Sequence, residues 1–274
     1  MTSLALAAGI PIAWNDTRDD LIFDPVLSIK TIKPRLRGEL RPVLACDADC
    51  EPADGIQYWM YNGISLPEHE AAFARCGIQY ELTLIYPKRL GNQYSKTHGH
   101  CHTFPIGSPH NYPEVCEILW GEAQFIFHTL NLEARSASFC YAVHAKPGDK
   151  VVVPPNLHHL TINPLDELLL FSDLICTQTT GDYAGLAAMQ GGAYLFDEQG
   201  WHPNPTYHAV APLQHFEAEE FPEMGLTRAV PLYELIWRAP ETLAWLSDPA
   251  AFPAAFPSLW ARLPHEVRGG EING

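Results

Sequence analysis

Three histidines, His98, His100 and His102, stand at alternate positions in the run Lys96-Thr97-His98-Gly99-His100-Cys101-His102. Alternate side chains of a β-strand share one face, so at least two of these imidazoles can converge on one metal ion. Gly99 removes a side chain where another backbone or a ligand can come close. Further along, Glu114 is followed by six residues and Gly121, and Gly148 by five residues, Pro154, Asn156, His159 and Asn163. His158 and His159 are neighbours, and neighbours on a strand face opposite sides, so one of the two points inward. Lys88, Arg89 and Lys96 lie close to the histidines and offer cationic groups to an anionic ligand.

These side chains need strands to hold them, and the sequence supplies candidates. Strand-like runs occur at Gln79 to Tyr86, Glu117 to His128, Ser138 to His144, Val151 to Val153 and Leu168 to Ile175, separated by Gly, Pro and Asn. Short strands without helical patterns between them predict an antiparallel sandwich or barrel over residues 78–186. Residues 1–77 read as an extended arm, rich in Pro, Asp and Arg, ending in a short helix over Leu66 to Cys76 that Gly77 stops. Residues 187–274 form a C-terminal extension whose Val230 to Arg238 and Pro240 to Leu246 segments have helical spacing. The apolar stretches Leu4 to Ala13 and Phe252 to Leu263 are suited to cover either the barrel or a partner subunit.

Composition agrees with a β-rich globular chain: 274 residues, 47% hydrophobic, 11% aromatic, with 24 prolines and 19 glycines. A formal charge of −15 argues against nucleic acid or an anionic membrane as partner. Seven scattered cysteines, an odd number, are expected to be reduced thiols, and the Cys46 and Cys50 pair reads as part of a polar loop. No run approaches the roughly 18 apolar residues of a membrane span. The apolar N-terminal run lacks a basic flank and a clear cleavage site, so no signal peptide is expected and the expected location is the cytoplasm.

The two spacings resemble the paired motifs of the cupin family. Those motifs are His-x-His, a gap, Glu, six residues and Gly, then Gly, five residues, Pro-x-Gly, two residues, His, three residues and Asn. The resemblance implies an all-β fold built on a single cupin domain, a double-stranded β-helix or jelly-roll barrel with short flanking helices. It implies that His100, His102, Glu114 and His159 bind one divalent metal ion, with His158 turned away. Eleven residues separate His102 from Glu114 where three or four are usual, which predicts a longer loop containing Pro105, Gly107, Pro109 and Pro113. Asn156 replaces the motif glycine, and Asn is the residue other than Gly that most readily accepts positive φ. The donor set suits iron, the expected ion, and also manganese, zinc or nickel. Four protein donors leave one or two positions open on a five- or six-coordinate ion.

Within the cupins, the closer resemblance is to the archaeal-type glucose-6-phosphate isomerases in their extended bacterial form. It is carried by Glu81-Leu82-Thr83-Leu84-Ile85-Tyr86-Pro87, the run from Lys96 to His102, Pro113-Glu114-Val115, the Val151 to Pro155 run with His159, Thr161 and Asn163, and Gly181-Asp182-Tyr183. The resemblance implies a homodimeric aldose-ketose isomerase of glycolysis and gluconeogenesis that interconverts glucose 6-phosphate and fructose 6-phosphate. Glu114 would be both ligand and base, and Tyr183 would line the sugar pocket. Thr83, Thr97 and Gly99 would hold phosphate, with His98 and Lys96 as further substrate contacts. The hydrogen moving between C1 and C2 travels either as a proton through a carboxylate or as a metal-assisted hydride. Cys116 stands where a Tyr commonly follows the Glu, and Cys101 where an aromatic is common, so the pocket is expected to differ in shape. The same ligands would serve a non-haem iron oxygenase, another sugar-phosphate isomerase or a non-catalytic sugar- or metal-binding cupin.

Overall fold

Period-two patterning builds two facing sheets in the computed structural model, which describes residues 2–17 and 20–269; the outermost residues of the expected arm and extension lie outside them. A six-stranded antiparallel sheet runs in the order Lys150–Val153, Glu114–Trp120, Leu169–Cys176, Ile78–Ile85, Ile56–Ser65 and Ser28–Leu36. A five-stranded sheet runs Gln214–Glu217, Cys140–Ala145, Ala123–His128, His158–Asn163 and Ser95–Lys96. Every pairing in both is antiparallel except that of Gln214–Glu217 with Cys140–Ala145. From Glu114 onward the chain passes repeatedly between the sheets, which is the winding of a double-stranded β-helix: the cupin barrel expected from the motifs. The expected single run from Glu117 to His128 is two strands, because Gly121, at φ +76°, turns the chain from one sheet to the other.

Residues 1–77 do more than wrap the barrel. Ser28–Leu36 and Ile56–Ser65 extend the six-stranded sheet beyond residue 78, and Pro34 is tolerated because its strand is the sheet edge. The short helix expected after Leu66 forms as Pro67–His69 and Glu70–Cys76, ended by Gly77 at φ +65°. At the other end, the Gln214–Glu217 strand brings the C-terminal extension into the second sheet.

The six-stranded sheet is buried on both faces. Its inner face meets the second sheet through Phe125 and Phe171, whose rings lie edge to face at 6.2 Å. Its outer face carries Tyr61, Tyr80, Leu82, Val115 and Leu174, covered by Ala8, Ile10 and Ile12 and by Tyr233, Trp245, Phe252 and Phe256. Both terminal apolar stretches therefore cover the barrel. Each large apolar side chain buried this way contributes about 1.5–3 kcal/mol. The C-terminal cover is pinned by Glu117, which accepts from the Leu232 N–H at 2.6 Å and pairs with Lys150 at 2.7 Å. Burial pushes the Glu117 carboxyl up to about 7.

Candidate metal centre

Strand parity delivers the expected ligands to the inner face. His100, His102, Glu114 and His159 each present a donor atom, and the four atoms lie within 4.8 Å of one another. His102 Nε2 is 3.0 Å from His100 Nε2 and 3.2 Å from Glu114 Oε2, and His159 Nε2 is 3.7 Å from the same oxygen. Bonds of about 2.1 Å to a six-coordinate ion place adjacent donors about 3 Å apart, so these separations fit a shared cation. His102 Nδ1 faces the Tyr112 carbonyl at 2.7 Å, which fixes the ring and leaves Nε2 free to coordinate.

Local electrostatics agree. Burial alone would raise the Glu114 pKa, but its contacts with His102 and His159 outweigh that and hold it well below the usual carboxylate range. Burial and the neighbouring imidazoles keep His100 strongly depressed, and burial lowers His159 as well. Glu114 Oε1 accepts from the Cys116 thiol at 3.0 Å, leaving Oε2 turned toward the histidines.

The pieces that looked irregular in sequence have structural reasons. Gly99 has φ +76°, and a Cβ there would sit 2.8 Å from Leu160 Cβ and 3.0 Å from the His159 carbonyl. Asn156 takes the left-handed conformation at φ +67° in place of the motif glycine. Its Oδ1 accepts from Asn111 N at 3.1 Å, and Asn111 Oδ1 accepts from Asn156 N at 2.6 Å, tying the long loop before Glu114 to the second motif. Asn111 Nδ2 then donates to the His102 carbonyl at 3.0 Å.

Thr83, Thr97, Gly99 and Tyr183 line one cavity of about 240 Å³ with the four ligands. Tyr183 stands at its mouth, 38% exposed. His98 and Lys96, expected to contact substrate, do not line that cavity. The positive φ of Gly99 breaks the alternation, so Thr97 and Gly99 face inward but His98 does not share the face of His100 and His102. His98 instead meets the Tyr183 ring edge-on at 5.0 Å, and its backbone N–H donates to the Tyr58 hydroxyl. Lys96 is buried elsewhere, donating to the Val43 carbonyl at 3.1 Å and to Gln93 Oε1 at 2.7 Å. Lys88 and Arg89 are likewise engaged away from the cavity, Lys88 with the Ile56 carbonyl and Arg89 over the Tyr94 ring. His158 is outside as expected, stacked on His128 at 5.7 Å.

Arg35, Asn62 and Asp173 are among the residues that came to the site without being singled out from the sequence, and Glu81 came only as part of the Glu81 to Pro87 run. Arg35, opposite Tyr58 in the strand register, lies 5.6 Å from the Tyr183 ring centre at the cavity mouth, and its Nε has no partner among the described residues. Asn62, Glu81 and Asp173 line the cavity beside Glu114. Strand pairing rather than local spacing brings them together.

Comparison with known proteins yields a family. A family model described as "Glucose-6-phosphate isomerase (GPI)" matches residues 37–211. The glucose-6-phosphate isomerase of Thermococcus litoralis is 29% identical over 150 residues, 55% of this chain and 70% of that protein. That of Pyrococcus abyssi is 28% identical over 123 residues, 45% of this chain and 59% of the relative. Among solved structures, an oxalate decarboxylase from Bacillus subtilis is 17% identical, with 46% of this chain and 28% of that one covered, at a TM-score of 0.33.

Proposed function

The chain belongs to the glucose-6-phosphate isomerase family, and we propose that it is a metal-dependent isomerase interconverting glucose 6-phosphate and fructose 6-phosphate. The observation that carries this reading is the convergence of three imidazoles and one carboxylate on a cavity that also presents Thr83, Thr97, Gly99 and Tyr183. His100, His102, Glu114 and His159 would hold one divalent ion, iron first, with manganese, zinc or nickel also suited to the donors. When bound, such an ion supplies a Lewis acid for the charge that develops on the sugar's O1 and O2.

The protein's own groups do the rest. Glu114 is ionised and moves the proton between C1 and C2. The Cys116 thiol, donating to Oε1, orients that carboxylate. Thr83, Thr97 and the Gly99 backbone receive the phosphate, and Arg35 at the mouth supplies the positive charge that the distant Lys88, Arg89 and Lys96 do not. Tyr183, partly exposed beside His98 and His100, closes the mouth over the bound sugar phosphate. The exposed edge strand Ser28–Leu36, with Ile32 52% exposed, supports a homodimer. The seven cysteines, none of them in a disulfide among the described residues, support a cytoplasmic setting, and the family supports a glycolytic one. Among the described residues no helix is long and apolar enough to cross a membrane.

The test is to reconstitute the protein with iron, manganese, zinc or nickel and follow glucose 6-phosphate formed from fructose 6-phosphate. Turnover that His100→Ala and His159→Ala abolish is expected. Absence of turnover with all four metals refutes the activity, and undiminished turnover in both variants refutes the metal centre.

A further inference from the structure

Four strands of the six-stranded sheet place one residue each in a row across the barrel's inner wall. Asn62 pairs with Glu81, Glu81 with Asp173, and Asp173 with Cys116, which is two residues from Glu114 on the same face. Asn62, Glu81 and Asp173 all line the cavity. Directly opposed residues in an antiparallel pair have Cβ atoms about 5 Å apart, close enough for the two carboxyl groups to face one ligand.

The row has unmet hydrogen-bonding capacity. Asp173 is 5% exposed, yet no described residue donates a hydrogen bond to its carboxyl. Asn62 Oδ1 is buried and also lacks a partner. Glu81 has one donor, the Gln79 amide at 2.5 Å. Buried polar groups are normally paired, so this much unsatisfied capacity pointing into one cavity indicates a ligand that supplies the missing bonds.

We propose that Asn62, Glu81 and Asp173 form a subsite for the hydroxyl groups of the sugar chain beyond the reacting C1 and C2, and that Asp173 and Glu81 thereby select the substrate. The inference rests on the isomerase reading. Two neighbouring carboxyls in a desolvated wall do not both ionise readily; burial and the charge of Glu114 push Glu81 up to about 7. A carboxylate accepts, a carboxylic acid donates and an amide does both, which matches hydroxyl groups that are themselves donor and acceptor. A phosphate would be repelled here. It belongs at the other end, where Tyr58 lies four residues along the Ile56–Ser65 strand from Asn62, about 13 Å away, with Arg35 opposite it on the neighbouring strand. The wall is therefore polar in a directional sense, acidic beside the metal centre and cationic at the mouth, and it sets the orientation of a sugar phosphate.

The test compares kcat/KM of the metal-loaded wild type and Asp173→Ala on fructose 6-phosphate and on its 3-deoxy and 4-deoxy analogues, with metal content measured throughout. Asp173→Ala is expected to lose about 10²–10³-fold on the full substrate, mainly in KM, while at least one deoxy analogue is turned over equally by both proteins, since hydroxyl and partner are removed in turn. Asp173→Asn, which keeps the shape, should fall between. Equal losses on all substrates, no loss at all, or two metal ions per chain overturn the subsite. If the wild type does not isomerise fructose 6-phosphate, the activity alone fails, and the subsite is read from calorimetric binding of glucitol 6-phosphate. There at least tenfold weakening in Asp173→Ala is expected, and equal or absent binding overturns it.

Discussion

Replacing Gly99 with alanine should damage both stability and the metal centre, by two separable routes. The residue sits at φ +76°, where an L-side chain costs about 1–2 kcal/mol. The added Cβ would also lie 2.7 Å from Leu186 Cδ1, 2.8 Å from Leu160 Cβ and 3.0 Å from the His159 carbonyl oxygen. Forcing a methyl into such packing costs about 1–3 kcal/mol more. The total, about 2–5 kcal/mol, corresponds near its middle to a Tm lowered by roughly 7–14 °C in a chain of this size. Relief of the clash must move the strand away from His159. His100 and His159 are joined there by reciprocal backbone bonds of 3.0 Å, so the two imidazoles separate and metal affinity falls. The control is Gly107→Ala, because Gly107 shares the conformation at φ +77° but has nothing within 4 Å of its would-be Cβ. Thermal or urea unfolding of both variants, with metal titration, decides the matter. If Gly99→Ala is no less stable than Gly107→Ala and binds metal as tightly as wild type, the close approach does not explain the glycine.

Lys150→Met leaves Glu117 buried without its ion-pair partner and should cost about 3–5 kcal/mol in urea unfolding, most of it recovered in Glu117→Gln/Lys150→Met, whose amide still accepts from Leu232 N. An equally unstable double variant would refute the pairing argument. Asn156→Ala loses both the tolerance for φ +67° and the side-chain bonds to Asn111 N and the Val267 carbonyl, whereas Asn156→Gly loses only those bonds, so the glycine variant should be the more stable of the two by about 1 kcal/mol. Equal stabilities would show that conformation is not limiting there. His128 is held neutral, its pKa lowered by burial to about 4, with Nδ1 facing the Thr129 carbonyl and Nε2 accepting from Ala193 N. A folded pKa below the unfolded 6.5 means this stability is complete above pH 6.5 and is lost as pH falls toward 4, by about 3 kcal/mol in all. Urea midpoints from pH 7 to 4.5 should fall less steeply in His128→Asn; parallel slopes would remove His128 as a cause.

The four metal-capable positions and the cupin barrel were legible in the sequence because their determinants are local. His-x-His needs only strand periodicity, and His159 needs only its turn, with Asn156 supplying the left-handed residue that the motif glycine usually provides. The terminal helices were visible through apolar spacing for the same reason. What they cover was open until the outer face of the six-stranded sheet, with Tyr61, Tyr80, Leu82, Val115 and Leu174, proved apolar.

Register between distant strands was not legible. Arg35, Asn62, Glu81 and Asp173 meet the metal ligands only because strands from residues 28–36 and 56–65 join a sheet whose other members lie after residue 78, and nothing in their own neighbourhoods announces a partner. His98 lies off the cavity for a related reason. Period two holds only while the backbone stays extended, and a single positive φ at Gly99, imposed by the packing of Leu160, Leu186 and the His159 carbonyl, shifts the phase of every side chain beyond it. Lys96, before that break, shares the outward phase of His98, and its ammonium donates to the Val43 carbonyl and Gln93 rather than into the cavity. The chain's sequence thus determined which atoms can bind a metal, and long-range strand pairing decided what surrounds that metal, because register is a property of two strands and is written in neither alone.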